Sequence, residues 1–346
     1  MPGRELGFKR IATEEAFVTK DIARAYRDLL ARNGSDDIGF NSLMGYYLNN
    51  PSERTRAVSE RLEDLGPRRL ADMDASGIDV QILSLTSPGV QIFDADTATS
   101  LARAANDELA AAIAAHPDRY AGLAAIAPQN PAAAAQELDR AVTTHGLRGA
   151  IVNSHTQGEY LDDPKFWDIF AAAEALGVPI YLHPNTPSNA MIKPFMDRGL
   201  DGAVFGFAVE TGLHALRLVV SGVFDRFPTL QIVLGHLGEA LPYWLFRIDF
   251  MHGASVRSKR YASQPPLERK ASDYLKQNFY YTTSGMAWTP PILYAVSVLG
   301  IDRVMYAMDY PYQFVPDEVH VTDALPLSYE DHKAFYQSNA ERVFKL

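Results

Sequence analysis

Four segments of this sequence set an ionisable side chain at or near the end of an apolar run: Thr13-Glu14-Glu15, Leu182-His183-Pro184, Leu234-Gly235-His236 and Met308-Asp309-Tyr310. A carboxylate, an imidazole and a second carboxylate can bind one divalent cation and leave positions open for water or substrate. Glu14, His183 and Asp309 are therefore the candidate metal ligands. Each also has a plainer reading. His183 before a proline fits a hydrogen-bonded structural imidazole, and Asp309 before Tyr310-Pro311 fits a turn-forming aspartate that accepts local backbone donors. Three ligand types at three strand ends are harder to explain jointly than singly.

His236 lies in Leu234-Gly235-His236-Leu237-Gly238-Glu239, where glycines let the backbone turn tightly. It is a candidate fourth ligand or a donor to substrate. Glu239 either fixes its tautomer, as a carboxylate partner does, or caps the following helix. Arg247, beyond the apolar stretch Leu241-Pro-Tyr-Trp-Leu-Phe246, offers a planar fork for a substrate carboxylate, with a solvated surface arginine as the alternative. Arg54 and Arg56 are weaker candidates for that task. His116, His145, His155, His214, His252, His320 and His332 fall mostly in helical patterns or exposed loops and receive no chemistry. The chain has no Gly-x-Ser-x-Gly elbow, phosphate-binding glycine loop or His-Glu-x-x-His helix.

Something must hold these distant residues together. Short charge-free runs are expected as strands over 10–13, 80–85, 120–126, 149–152, 179–182, 231–234, 279–283 and 304–307. Helical patterns over 95–116, 131–145, 163–176 and 213–223 separate them, with Pro131 in a first turn and Gly146 and Gly177 at helix ends. Eight strands alternating with helices read as a (β/α)8 TIM barrel, an α/β fold whose catalytic groups follow its strands. A doubly wound sheet is the other option, but Glu14-Glu15-Ala16-Phe17 offers no phosphate turn. The stretches 33–53 and 251–266 are expected as long loops at the barrel's carboxyl end, the second equally as surface decoration or a subunit contact, and the whole chain, 1–346, as a single domain.

Composition narrows the rest. Of 346 residues 47% are hydrophobic and 21% charged, the balance of a globular protein large enough to bury a core without staples. There is no cysteine, which excludes thiolate ligands, cysteine nucleophiles and disulfides. The formal net charge of -10 (32 basic, 42 acidic) speaks against nucleic-acid binding. It also obliges an anionic substrate to find local arginines or a cation. The opening residues lack the apolar core of a signal peptide and no membrane-length apolar run appears, so a cytoplasmic protein with no membrane partner is expected.

Ile11-Ala-Thr-Glu-Glu-Ala-Phe17, Leu182-His-Pro184, Leu234-Gly-His-Leu-Gly-Glu239 and Asp309-Tyr-Pro311 resemble the decarboxylase branch of the amidohydrolase superfamily. That branch includes γ-resorcylate, 2,3-dihydroxybenzoate and 5-carboxyvanillate decarboxylases. The segments 152–160, 205–212 and 304–313 look closest to the 5-carboxyvanillate type. The resemblance implies one Mn2+ (Zn2+ in some relatives) held by Glu14, His183 and Asp309. It also implies a pocket lined by Arg247, His236, Phe207 and Tyr312, and dimers or tetramers. Many relatives begin Glu/His-x-His; Ala16 at that last position removes a ligand and suits an oxygen-rich Mn2+ site better than tetrahedral Zn2+.

The reaction so implied is redox-neutral loss of CO2 from a hydroxylated aromatic acid, with Asp309 protonating the ring carbon first. A one-metal hydrolase or hydratase is a second reading, with Asp309 as base to a metal-activated water. Against a two-metal version, Gly149-Ala-Ile-Val-Asn153 has no lysine to bridge. A barrel that only binds is the third.

Overall fold

The computed structural model describes residues 7–32 and 34–346. Among the described residues nine mostly apolar runs form strands: β1 (Ile11–Phe17), β2 (Val80–Leu85), β3 (Tyr120–Gly122), β4 (Ala124–Ala125), β5 (Ala150–Asn153), β6 (Ile180–His183), β7 (Ile232–Leu234), β8 (Phe279–Thr282) and β9 (Val304–Met305). Neighbours pair in chain order and in parallel, β1-β2-β3 and β4 through β9. β3 and β4 are two halves of one barrel strand. Between them the Leu123 N–H donates to the Leu83 carbonyl at 2.9 Å, and the Ala124 N–H turns to the Gly149 carbonyl at 2.8 Å. The ring closes where the Thr13 N–H donates to the Tyr306 carbonyl (3.1 Å) and the Ala16 N–H to the Tyr310 carbonyl (2.7 Å). The chain is thus the expected α/β barrel, with helices packed outside.

Helices form where small apolar residues recur at helical spacing between local stop signals. In Pro131–His145 the Asn130 side chain caps the start, Ala134, Leu138 and Ala141 face inward, and left-handed Gly146 ends it. Ile180, Leu182, Ile232 and Leu234 lie with almost no exposure in the core. Burying each such side chain contributes about 1.5–3 kcal/mol.

Several expectations need correction. β1 runs to Phe17, so Glu14 and Glu15 sit inside the strand rather than after it. Of the stretch 33–53, residue 33 lies outside the described residues and 34–53 is mostly helix, Ile38–Asn49, because the Asp37 side chain accepts the Phe40 N–H at 2.8 Å and starts it. Arg54 and Arg56 belong to a further helix, Glu53–Leu62. Residues 251–257 finish the long helix Leu241–Arg257, and the pattern over 213–223 is the latter part of Gly206–Val220.

Behind β5 and β6 lies a polar cluster that the sequence did not mark. His155 and His214 are buried, not exposed. Glu210 accepts from the Ser154 hydroxyl (3.3 Å), the Tyr160 hydroxyl (3.2 Å) and the Ser188 N–H (3.2 Å). His214 Nε2 accepts the Leu161 N–H at 3.0 Å. His155 Nδ1 accepts the Gly158 N–H (3.1 Å), and its Nε2 donates to the Thr186 carbonyl (3.0 Å).

Candidate metal centre

Glu14 enters the barrel from β1 and is 3% exposed. Its Oε2 accepts from the Tyr181 hydroxyl and, at 3.3 Å, from the Thr282 hydroxyl. Gly235, just past β7, has to be glycine for this, since a Cβ there would stand 2.4 Å from Oε2. Glu14 Oε1 is buried and has no hydrogen-bond partner. It faces His183 Nε2 at 3.4 Å and His236 Nε2 at 3.9 Å.

His183 ends β6, and its Nδ1 lies 2.8 Å from the Pro184 carbonyl. A carbonyl only accepts, so Nδ1 donates to it, which leaves Nε2, on the Glu14 side, as the nitrogen placed to ligate a metal. His236 Nδ1 approaches Glu239 Oε1 to 2.9 Å, an ion-pair contact that misses hydrogen-bond geometry. Glu239 therefore meets His236, as one of its two expected roles requires. The turn that joins them, His236 to Ala240, has positive φ at every residue.

Asp309 follows β9 with φ +73°. Gly285 leaves the space its carboxylate occupies: a Cβ there would lie 3.3 Å from Asp309 Oδ2 and 3.6 Å from His236 Cδ2. Behind Asp309, Glu15 accepts the N–H groups of Met308 and Tyr310, each at 3.0 Å. Burial pushes the Glu15 carboxyl up, and those two donors pull it back.

The electrostatics reflect crowding. Burial opposes ionisation of Glu14, yet the charge of His236 and the His183 contact hold it down at about 2. Burial, with Glu14 and Glu239 nearby, raises Asp309 to about 7 against the pull of His236 and His183. Burial works against a charged His236, but Glu239 and Glu14 raise it to about 10.

Among the described residues no three His, Asp or Glu side chains stand close enough together, as placed, to hold a metal ion. What the barrel offers is looser: two carboxylates and two imidazoles, one buried carboxylate oxygen unpartnered, and both imidazoles partly exposed on the open side, His183 at 14% and His236 at 23%. That donor set fits a divalent cation of the Mn2+ type.

The remaining sequence candidates divide. Arg54 donates to the Tyr312 carbonyl at 3.0 Å, and the Tyr312 hydroxyl pairs with that of Thr86 at 2.6 Å. Phe207 is half-buried in the first turn of Gly206–Val220. Arg247 lines a separate cavity of about 480 Å³ with Trp244, Met251 and Tyr261, and none of the four cluster residues borders it. Within this chain, then, Arg247 is not brought to the cluster: the helix that carries it faces outward.

Tyr181, Thr282, Tyr47 and Thr86 were missed. Tyr181 had a signal, because two residues before His183 on a strand it must point the same way. Tyr47, whose ring packs on Tyr312 at 5.2 Å, was hidden in the stretch read as loop.

Comparisons with known proteins agree on a family. Residues 28–346 match the amidohydrolase family described as "Amidohydrolase". A γ-resorcylate decarboxylase from Polaromonas is 38% identical over 304 residues, 86% of this chain and 92% of that one. The crystal structure of 5-carboxyvanillate decarboxylase from Novosphingobium aromaticivorans, with manganese and 4-hydroxy-3-methoxy-5-nitrobenzoic acid, is 53% identical with a TM-score of 0.97, covering 99% of this chain and 98% of that one. A 5-carboxyvanillate decarboxylase from Sphingomonas paucimobilis is 41% identical with a TM-score of 0.92, covering 98% and 99%.

Proposed function

Because the chain belongs to the amidohydrolase family and is a decarboxylase of hydroxylated aromatic acids, we propose that it converts 5-carboxyvanillate to vanillate and CO2. The observation that carries this reading is the 53% identity, over nearly the whole chain, to a structure holding manganese and a nitro analogue. In that analogue a planar nitro group stands where 5-carboxyvanillate has its carboxylate. The lower identity of the γ-resorcylate relative makes γ-resorcylate the second choice.

In our reading Glu14, His183 and Asp309 hold Mn2+, with His236 beside them. A cation held there supplies positive charge for the substrate's carboxylate and adjacent phenol oxygen, offsetting the chain's net charge of -10. Direct loss of CO2 would leave an aryl carbanion, so the ring carbon bearing the carboxylate is protonated first. Asp309 takes the phenol proton and passes it to that carbon, giving a dienone. The carbon–carboxylate bond then breaks, CO2 departs, and the bonding pair restores the aromatic ring as a phenolate that takes its proton from solvent. A cation held at this site would lower the proton affinity of Asp309, so the proton it passes on has to come from the substrate's phenol. His236, steadied by Glu239, donates to the substrate's oxygens. Arg54 and Tyr312 bind the polar groups that the reaction leaves untouched, and Phe207 packs on the ring.

Among the described residues no helix is long and apolar enough to cross a membrane. We place the enzyme in the cytoplasm, in the breakdown of lignin-derived aromatics. The helix Leu241–Arg257 exposes Tyr243 (70%), Phe246 (84%) and Phe250 (62%). Such a face suits burial against a second copy, in a dimer or tetramer. It would also give Arg247 a setting that the single chain lacks.

The test is CO2 release from 5-carboxyvanillate by Mn2+-loaded protein beside a chelator-treated sample. Release should vanish on chelation and return with Mn2+. No release from verified Mn2+-loaded protein would reject this substrate, with γ-resorcylate and 2,3-dihydroxybenzoate next.

A further inference from the structure

We infer that Glu15, which is no candidate ligand, is a positioning residue for the metal centre: it holds Asp309 in place by gripping the two backbone amides that flank it. The inference rests on the reading of Asp309 as a ligand. Successive residues of a strand point to opposite faces. As Glu14 turns into the barrel, Glu15 turns toward the segment after β9. There its two oxygens divide the work, Oε1 accepting the Met308 N–H and Oε2 the Tyr310 N–H, both at 3.0 Å.

The residue between those amides, Asp309, has φ +73°, a left-handed conformation that aspartate adopts more often than most residues other than glycine, but still at a cost. A hold from outside the segment helps to maintain it. Glu15 is fully buried (0% exposed), so its bonds to the amides face no competition from water. The grip is reinforced from the other side. The Ala16 N–H donates to the Tyr310 carbonyl at 2.7 Å, and the buried Arg69 donates to the Ala16 carbonyl at 2.7 Å while its guanidinium lies 4.5 Å from the centre of the Tyr310 ring. One short piece of β1 thus presents a candidate ligand on one face and the brace of another ligand on the other.

A bracing carboxylate could also serve the fold alone, and manganese affinity separates the two roles. Free Mn2+ is followed by electron paramagnetic resonance during titration of metal-free protein. Glu15→Gln should weaken Mn2+ binding by about 10–100-fold, the usual cost of losing a partner that orients a ligand. Thr13→Val is the control. It removes another bond from β1 to the same segment, the Thr13 hydroxyl to the Tyr306 carbonyl at 2.8 Å, and should leave affinity unchanged. With Asp309 already replaced, in Asp309→Ala, Glu15→Gln should weaken binding less than about threefold, since it acts through Asp309.

Wild-type affinity in Glu15→Gln, an equal loss in Thr13→Val, or a full further loss in the Asp309→Ala background would each overturn the inference. Wild-type affinity in Asp309→Ala alone would overturn the ligand reading of Asp309, and this inference with it. Should Glu15→Gln fail to fold, Glu15→Asp takes its place with the same expectations, because it keeps the charge but draws the oxygens back by one methylene.

Discussion

Glu14 with His183 and His236, and Glu210 with His155 and His214, are two groups built from the same side-chain types, the first carried by β1, β6 and the turn after β7, the second by the segment after β5 and the helix Gly206–Val220. In the second, the carboxylate accepts three hydrogen bonds and both nitrogens of His155 are occupied. In the first, one carboxylate oxygen has no hydrogen-bond partner, and two imidazole Nε2 atoms face it at 3.4 and 3.9 Å without bonding to it. Residue type alone therefore does not make a metal site. What distinguishes the two groups is whether the surrounding backbone has already satisfied the donors and acceptors, as it does for Glu210 through Ser188 and for His214 through Leu161.

That contrast is broken most forcefully by exchanging damage between the groups. His183→Ala should release Mn2+ on dialysis and lower kcat/KM by at least about 1,000-fold, because the ligand itself is lost. His214→Gln should change kcat/KM per folded molecule less than about threefold, while costing about 1–3 kcal/mol of stability through disrupted buried hydrogen bonds. Metal content, turnover and urea unfolding of the two variants check both halves, and a His214→Gln enzyme that lost its metal would erase the distinction.

A subtler effect should follow at the edge of the first group. Glu239→Gln leaves the shape of the His236 partner but removes its charge, and should lower kcat/KM by about tenfold. Steady-state kinetics on Mn2+-loaded enzyme decide this, and unchanged kinetics would reduce Glu239 to a part of the turn.

The last effect is one of pH and belongs to the second group. Burial, with His155 and Arg217 nearby, pushes His214 down from 6.5 to about 3, and the Ser154 hydroxyl and the Tyr160 ring also face it. Between those values the unfolded chain holds a proton on this residue and the folded chain does not. Stability is therefore lost as pH falls from 6.5 toward 3, by at most about 1.4 kcal/mol per unit from this group. Urea midpoints of metal-free protein at pH 7, 6 and 5 should fall more steeply for wild type than for His214→Gln. Parallel slopes would mean that His214 takes a proton in the folded state.

Much of the first group was legible in the sequence because it follows strand geometry. A histidine closing Ile180-Tyr-Leu or an aspartate beyond Val304-Met-Tyr-Ala has little choice about the end of the barrel it occupies. Arg247 was another matter: spacing along a helix says how far a residue lies from His236 but not which way the helix faces, and here it faces outward. The helix Ile38–Asn49 was obscured by Gly39, Asn41, Ser42 and Gly45, although Asp37 was in place to start it. The backbone of Asp309 was not legible at all, since its conformation is imposed by amides held from a strand almost three hundred residues earlier.

The turn from His236 to Ala240 carries a consequence for how this protein can be changed. Four of its five residues are not glycine, and each pays about 1–2 kcal/mol to run left-handed. Against a net stability of about 5–15 kcal/mol for a typical domain, that is a substantial fraction concentrated in one loop. The rest of the barrel must therefore be more stable than its own persistence requires, and that surplus sets how many further mutations the chain can absorb. A selection for heat resistance alone would find its easiest gains in relaxing this turn, and would dismantle the position of His236 in doing so.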